Sequence, residues 1–278
     1  TIQIIIVVAD DRNPSCFGYS YFTNTPVTDE LLARLPATIE LSVLAIILAA
    51  IIGIFLGVLS AVKKNSIIDN LTMTSALIGV SMPVFWLGML LIILFSGYLH
   101  WFPSGGRIDT LMRPMDGTGF YLYDTLIIGD FEAFFNALEH AILPAVTLAG
   151  YSMAIITRMT RSSMLDILHQ DYIRTARAKG LSAVSVIGKH AFRNALLPIV
   201  TVIGLQFGSL LSGSILTETV FAWPGIGSYS VECILRSDFP VIQAVVLIIA
   251  VIFVVMNLLV DLLYAALDPR VKYSEESA

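Results

Sequence analysis

Unbroken apolar runs alternate along this chain with short polar stretches, and five of the runs are long enough to cross a bilayer as helices. They lie near residues 37–62, 70–99, 141–163, 194–217 and 241–266. Each has about 20 residues or more, the length that a hydrocarbon core demands of a helix. The first nine residues, TIQIIIVVA, are equally apolar but too short to span and run into Asp10-Asp11-Arg12. They read as an incomplete first helix or an interfacial stub, without the basic leader and cleavage site of a signal peptide. Residues 10–36 read as a connecting loop punctuated by Pro26 and Pro36.

Composition supports the same picture. Hydrophobic residues make up 56% of the chain and charged ones 13%, with a mean hydropathy of +0.83, so the expectation is an all-helical membrane protein in contact with lipid and without nucleic-acid partners. The net charge of -5 says little, because orientation follows where Lys and Arg sit. Lys63 and Lys64 occupy one short connection, Arg158, Arg161, Arg174, Arg177, Lys179, Lys189 and Arg193 cluster in and beside another, and Arg270 and Lys272 lie in the tail. These mark the cytoplasmic face, which places the C-terminus inside. The connection 100–140 carries Asp109, Asp116, Asp124, Asp130, Glu132 and Glu139 against Arg107 and Arg113, and faces out.

Between two of the apolar runs lies a stretch of different character, DYIRTARAKGLSAVSVIGKHAFRNALLPIV, residues 171–200. From Ser162 to Lys179 the apolar residues Met164, Leu165, Leu168, Tyr172, Ile173 and Ala176 recur at helical offsets, charges fill the remaining positions, and Gly180 supplies a stop. An amphipathic helix at a membrane surface either lies on anionic lipid or docks into a protein groove. The narrow apolar face and the carboxylates Asp166 and Asp171 among the cations favour the groove.

This stretch resembles the cytoplasmic signature loop of permease subunits of bacterial ATP-binding-cassette importers, in the dipeptide, oligopeptide and nickel group. That loop begins Glu-Ala-Ala in the wider family, with Gly four residues after the second Ala; here Arg174-Thr175-Ala176 is followed by Arg177-Ala178-Lys179-Gly180, and a His190-Ala191-Phe192-Arg193-Asn194 run stands before Leu197-Pro198. The segments SMPVFWLGMLL, RMTRSSMLDIL, TETVFAWPGIG and NLLVDLLYAALDPR extend the resemblance over most of residues 17–273.

The resemblance implies a type I importer permease fold, with residues 1–36 as a partial first helix and outer segment, 37–273 as the permease domain and 274–278 as a cytoplasmic tail. Within it, 162–193 is the coupling loop and 100–140 the outer loop. It implies that residues 165–180 form a coupling helix in a groove of an ATP-binding subunit, with Asp171, Tyr172, Ile173, Arg174, Thr175, Ala176, Lys179 and Gly180 as the coupling residues. Tyr172 and Ile173 would pack into the groove, and Arg174 and Lys179 would pair with acidic residues there. The partners implied are a second, homologous permease subunit, two ATP-binding subunits that hold ATP and Mg, and an extracytoplasmic binding protein docked on Trp223, Pro224 and Gly225 and on the outer loop. The chain itself would bind no cofactor, and no phosphate-binding glycine loop of the Walker type occurs in it. The expected cargo is a short peptide, dipeptides first, with nickel, glutathione and haem as alternatives in the same architecture.

Other candidates are weaker. Met82 and Phe85, beside Pro83, and the polar Gln206, Ser209 and Thr217 are candidates for a substrate path. Gly204, Gly208 and Ser212 at four-residue spacing suit close helix packing. Asp261, four residues after Asn257, suits snorkelling or a structural pair more than a proton relay. Cys16 and Cys233 have no metal or redox spacing; both fall in outward segments where a disulfide is chemically allowed, and two unpaired thiols are the favoured reading. His100, His140, His169 and His190 are divided between the two faces, against one metal site. No HExxH, GxSxG or paired-aspartate pattern supports an intramembrane enzyme, and no inverted repeat supports a secondary transporter. A non-transporting membrane adaptor is the remaining class.

Overall fold

The computed structural model describes residues 17–114 and 117–267, and the side chains of these except 212, 213, 261 and 263–267. Helix α1 spans Val27–Val62 and so begins well before the expected loop ends. Pro36 lies inside it, although proline removes one helical hydrogen bond. Packing outweighs that loss: Val27, Leu31 and Leu35 recur on one face and join a core with Ile226, Tyr229, Cys233, Val241, Ala244 and Val245. Asp29 and Glu30 in the first turn also suit the positive end of the helix dipole.

The second apolar run is two helices instead of one. Helix α2 covers Ile67–Ser81, and Met82 leaves it in an extended conformation, φ -84° and ψ 128°. Pro83 disfavours helical torsions in the residue before it. Helix α3, Val84–Leu91, follows and passes into a π-helical stretch, Ile92–Tyr98. The rings of Phe95 and Trp101 then meet at 5.7 Å, tilted by 47°, aromatic residues of the kind that favour a membrane–water edge.

The 100–140 connection is largely structured. It holds a 3₁₀ turn at Thr110–Met112, helix α4, Tyr121–Ile128, and the first turns of α5, Phe131–Leu168. Helix α6 is Asp171–Ala178. After a short turn at Ala183–Ser185 and a π-helical run Val186–Phe192 come α7, Arg193–Gly213, α8, Ile215–Val220, α9, Ile226–Leu235, and α10, Phe239–Leu267. The run expected at 194–217 thus breaks at Ser214.

Among the described residues, four helical segments are long and apolar enough to cross a membrane: Val27–Val62, Phe131–Leu168, Ala183–Leu211 and Phe239–Val260. The broken pair α2 and α3 makes a fifth if taken as one span, which agrees with the five apolar runs. The described residues divide into two compact units. The first gathers the chain up to Leu44, Val84–Leu148 and Leu210–Phe253; the second gathers Ala45–Pro83, Ala149–Ser209 and the chain from Val254.

Candidate functional site

In the second unit, α5 does not run on into the basic stretch as one helix over 165–180. It ends at Leu168, Gln170 is extended at φ -71° and ψ 148°, and α6 starts afresh at Asp171. The apolar face of α6 is turned into the chain's own core. Ile173 and Ala176 pack with Ala61, Met164, Val186, Ala191, Ala195 and Ile199. Ile173 is fully enclosed and Ala176 nearly so, so neither is available to a partner groove as expected for Ile173. Tyr172 is half exposed, and its hydroxyl accepts a 2.8 Å hydrogen bond from the Asn194 side chain.

What α6 leaves to solvent is polar. Asp171, Arg174, Thr175, Arg177, Ala178 and Lys179 are all exposed. Asp171 and Arg174 are 3.8 Å apart with both side chains open to water, a pairing of little energetic weight that leaves both free to engage another surface. The helix closes with a Schellman motif: the Gly180 N–H donates to Arg177 O at 3.0 Å and the Leu181 N–H to Ala176 O at 3.3 Å. Gly180 has φ +75°, and a Cβ there would meet open space. Backbone conformation, not crowding, is what calls for glycine at this turn.

The first unit contains the WPGIG turn. Trp223 and Gly225 are buried, and of the three residues expected to face a binding protein only Pro224 is exposed. The Trp223 indole N–H donates to Ala37 O at 2.9 Å. Below the turn lies a fully buried carboxylate, Glu218. It accepts from the hydroxyls of Thr38 and Ser214, each at 2.8 Å, and from the Ser228 N–H at 3.0 Å, while Thr38 Oγ1 accepts from the Ile226 N–H at 2.9 Å. Burial pushes the Glu218 carboxyl above its ordinary value, and these hydrogen bonds pull the other way.

A second buried carboxylate anchors the acidic loop. Glu40 accepts from Arg107 Nε at 3.0 Å and from the Leu122 N–H at 2.8 Å. The Arg107 guanidinium also donates to Gly119 O at 2.7 Å and lies 3.8 Å from the Tyr121 ring centre. Asp124 is turned inward as well, capping the Thr118 and Gly119 N–H groups at 3.0 Å. The outward positions of α4 are Tyr123, Leu126, Ile127 and Ile128, so this helix presents an apolar face within an otherwise acidic loop.

The remaining candidates scatter. Gln206 accepts a 3.1 Å hydrogen bond from Ser152, and Ser209 is exposed. Met82 is partly buried and Phe85 more open. Thr217 is 1% exposed, enclosed within the first unit and unsuited to line a water-filled path. Gly204 and Gly208 face Val260 and Met256 of α10, the close packing expected of them. Cys233 is a free thiol pushed up to about 11, mainly by burial. Cys16 and the Asp261 side chain lie outside the described residues. Among the described residues, no group of three His, Cys, Asp or Glu is placed to hold a metal.

Glu40, Asp69 and Glu218 escaped the list of sequence candidates. Each was legible in one respect: a carboxylate inside or beside an apolar run must find partners.

Comparison with known proteins fits a chain of long apolar helices that carries a short polar one. Residues 53–273 match the model of the binding-protein-dependent transport system inner membrane components. The chain is 51% identical over 256 residues to the dipeptide transport system permease protein DppB of Alkalihalophilus pseudofirmus, covering 92% of this chain and 77% of that protein. It is 49% identical over 261 residues to the dipeptide transport system permease protein DppB of Escherichia coli (strain K12), covering 93% and 77%, and 46% identical over 250 residues to the oligopeptide transport system permease protein AppB of Bacillus subtilis, covering 90% and 73%. In fold it is similar to a chain of the MetNI methionine ABC transporter in an inward-facing conformation, with TM-score 0.66 and 18% identity over 87% of this chain and 98% of that one. These relatives are transporter permeases and not enzymes. The chain belongs to the family of binding-protein-dependent transport system inner membrane components and is a permease subunit of an ATP-binding-cassette importer.

Proposed function

We propose that this subunit carries short peptides, dipeptides first, inward across the bacterial cytoplasmic membrane, and that α6 is the coupling helix through which ATP binding elsewhere drives the movement. One observation carries the coupling reading: α6 is held by its apolar face and by the Tyr172–Asn194 hydrogen bond, leaving Arg174, Arg177 and Lys179 exposed on a short helix and its cap. A groove lined by carboxylates on an ATP-binding subunit is the complement of that surface. The relatives named for dipeptide transport support the cargo.

In this reading α6, Lys63, Lys64 and the C-terminus are cytoplasmic, a second and related permease completes the path, and two separate subunits hold ATP and Mg. Pro224 and the outward residues of α4 meet an extracytoplasmic binding protein, while Trp223 and Gly225 shape the turn from within. Gln206 and Ser209 are the polar positions offered to the path. The chain contributes no group to ATP hydrolysis; its work is to convert closure of the ATPase pair into movement of helix ends.

The test is ATP hydrolysis and uptake in proteoliposomes holding the full complex. Binding protein loaded with a dipeptide should stimulate both. Stimulation only by a nickel complex, glutathione or haem would overturn the cargo, and an assembled complex that hydrolyses ATP without any loaded binding protein stimulating it would overturn the transport reading.

A further inference from the structure

Asp69 stands in the first turn of α2 and is 2% exposed. Its carboxylate accepts from the Ser60 hydroxyl of α1, from the Asn65 N–H in the turn between α1 and α2 at 2.9 Å, and from Arg161 of α5 through Nε at 2.7 Å and Nη2 at 2.8 Å. A buried carboxylate is tolerated only when its oxygens are matched in this way. The two-pronged grip of a guanidinium also fixes direction, which a single contact does not. One side chain thus ties the end of α1, the turn, the start of α2 and the shaft of α5.

The same two helices seat α6, together with the run Val186–Phe192 and the start of α7, which supply Val186, Ala191, Ala195 and Ile199. Ala61 follows Ser60 directly, and Met164 lies one turn beyond Arg161; both belong to the core that encloses Ile173 and Ala176. The covalent joint between α5 and α6, in contrast, is an extended residue, Gln170. Movement of α6 therefore reaches the membrane helices through its seat, and the seat keeps its shape only if α1 and α5 stay in register. Gly53 and Gly57 of α1 pack closely on α5 at Ile156 and Thr160, and the polar tie one turn away adds a directional hold to that contact.

We infer that Asp69 and Arg161 are a positioning pair for energy coupling: they make α6 and the α1–α2 turn move as one body, so that a displacement of α6 is delivered to α1, α2 and α5 together. This inference rests on the proposed docking of α6.

The experiment uses the whole complex in nanodiscs, with Cys16→Ser and Cys233→Ser and spin labels on Lys64→Cys and Ala183→Cys, both exposed positions. In the otherwise unmodified chain the distance between the labels should be the same with and without ATP. Asp69→Asn should broaden that distance and lower the peptide transported per ATP hydrolysed by roughly fivefold or more, with ATPase subunits still captured. Arg161→Lys, which keeps the charge and loses the double contact, should fall between.

A 64–183 distance that shifts on ATP binding in the unmodified chain would overturn the inference, as would an Asp69→Asn complex with unchanged distance and unchanged transport per ATP. If Asp69→Asn does not assemble, the unmodified chain and Arg161→Lys decide the matter by the same two readouts. Failure of the unmodified chain to capture ATPase subunits sinks the docking reading and this inference with it. Intact capture with a moving distance sinks only the tie.

Discussion

The WPGIG turn and the α6 segment look alike in sequence, each a short glycine-bearing motif between apolar runs, yet the chain uses polar groups in opposite senses in the two. At the turn, Glu218, Thr38, Ser214 and the Trp223 indole all point inward and satisfy one another and nearby backbone. At α6 the interior is wholly apolar and every charge is outside. Backbone geometry is the reason. The Ile226 and Ser228 N–H groups open α9 and have no partner within that helix, so where this end is buried side chains must supply one, whereas the charged side chains of α6 lie at the surface and are left free. The turn spends its polar groups on shape, and α6 keeps its own for a partner.

The strongest way to break this contrast is to empty the turn of its carboxylate. Glu218→Ala leaves the Ser228 N–H without an acceptor and two hydroxyls to find new ones, at a cost of about 3 kcal/mol, read as earlier thermal unfolding of the purified complex. Glu218→Gln should cost only about 1 kcal/mol, because its carbonyl can serve the Ser228 N–H while its NH₂ donates to the hydroxyls of Thr38 and Ser214, which reverse their roles. The two variants also separate by pH. Burial raises the Glu218 carboxyl above its ordinary value, so the folded state holds the proton more tightly than the unfolded chain. Its contribution is complete below the ordinary carboxylate range and is lost as pH rises through the folded value. The unmodified protein should lose stability over that window, and Glu218→Gln should not. A matching slope in both would show that Glu218 does not titrate in the fold.

A smaller disturbance tests the close approach of the same turn. At Gly227 a Cβ would lie 2.6 Å from Ile215 Cα and 2.9 Å from the Glu218 carboxylate. The first neighbour is backbone and cannot swing aside. Gly227→Ala should therefore destabilise by about 2 kcal/mol, with the same thermal assay as its check. Gly180→Ala makes the useful comparison at α6, since its new Cβ meets open space and the positive φ alone costs about 1 kcal/mol.

The apolar runs displayed the fold because membrane helices satisfy their backbones internally and need only length and hydrophobicity. The ends of the elements were hidden where packing overruled local signals. Pro26 and Pro36 suggested a loop, but the stripe of Val27, Leu31 and Leu35 on a buried face carried α1 back to Val27. Residues 165–180 have one continuous apolar period, and the break at Gln170 leaves no mark in it. For the candidate site, the amphipathic pattern located the stop at Gly180 and missed the fresh start of α6 at Asp171. It left open whether Ile173 faces the chain's own core or a partner, since an apolar stripe serves either. The loop 100–140 was read from its formal charge, which does not reveal that Asp124 caps backbone or that Arg107 is enclosed with Glu40. Long-range pairs such as these are not periodic, so no local pattern announces them.

The least disruptive change is made on the outer face of α6, and it sharpens the comparison most directly. Arg174→Glu with Lys179→Glu alters two exposed side chains that support no packing, so stability should move by no more than about 0.5 kcal/mol. Capture of the ATP-binding subunits should nonetheless weaken by roughly tenfold and lose much of its dependence on salt, since attraction across a rim of charges acts mainly on encounter and orientation. The same reversal at the turn has no counterpart, because its charge is buried and cannot be altered without disturbing the shape it holds. If the doubly reversed chain binds its ATPase partners as well as before while remaining folded, the exposed cations of α6 are a solvated face and not a docking surface.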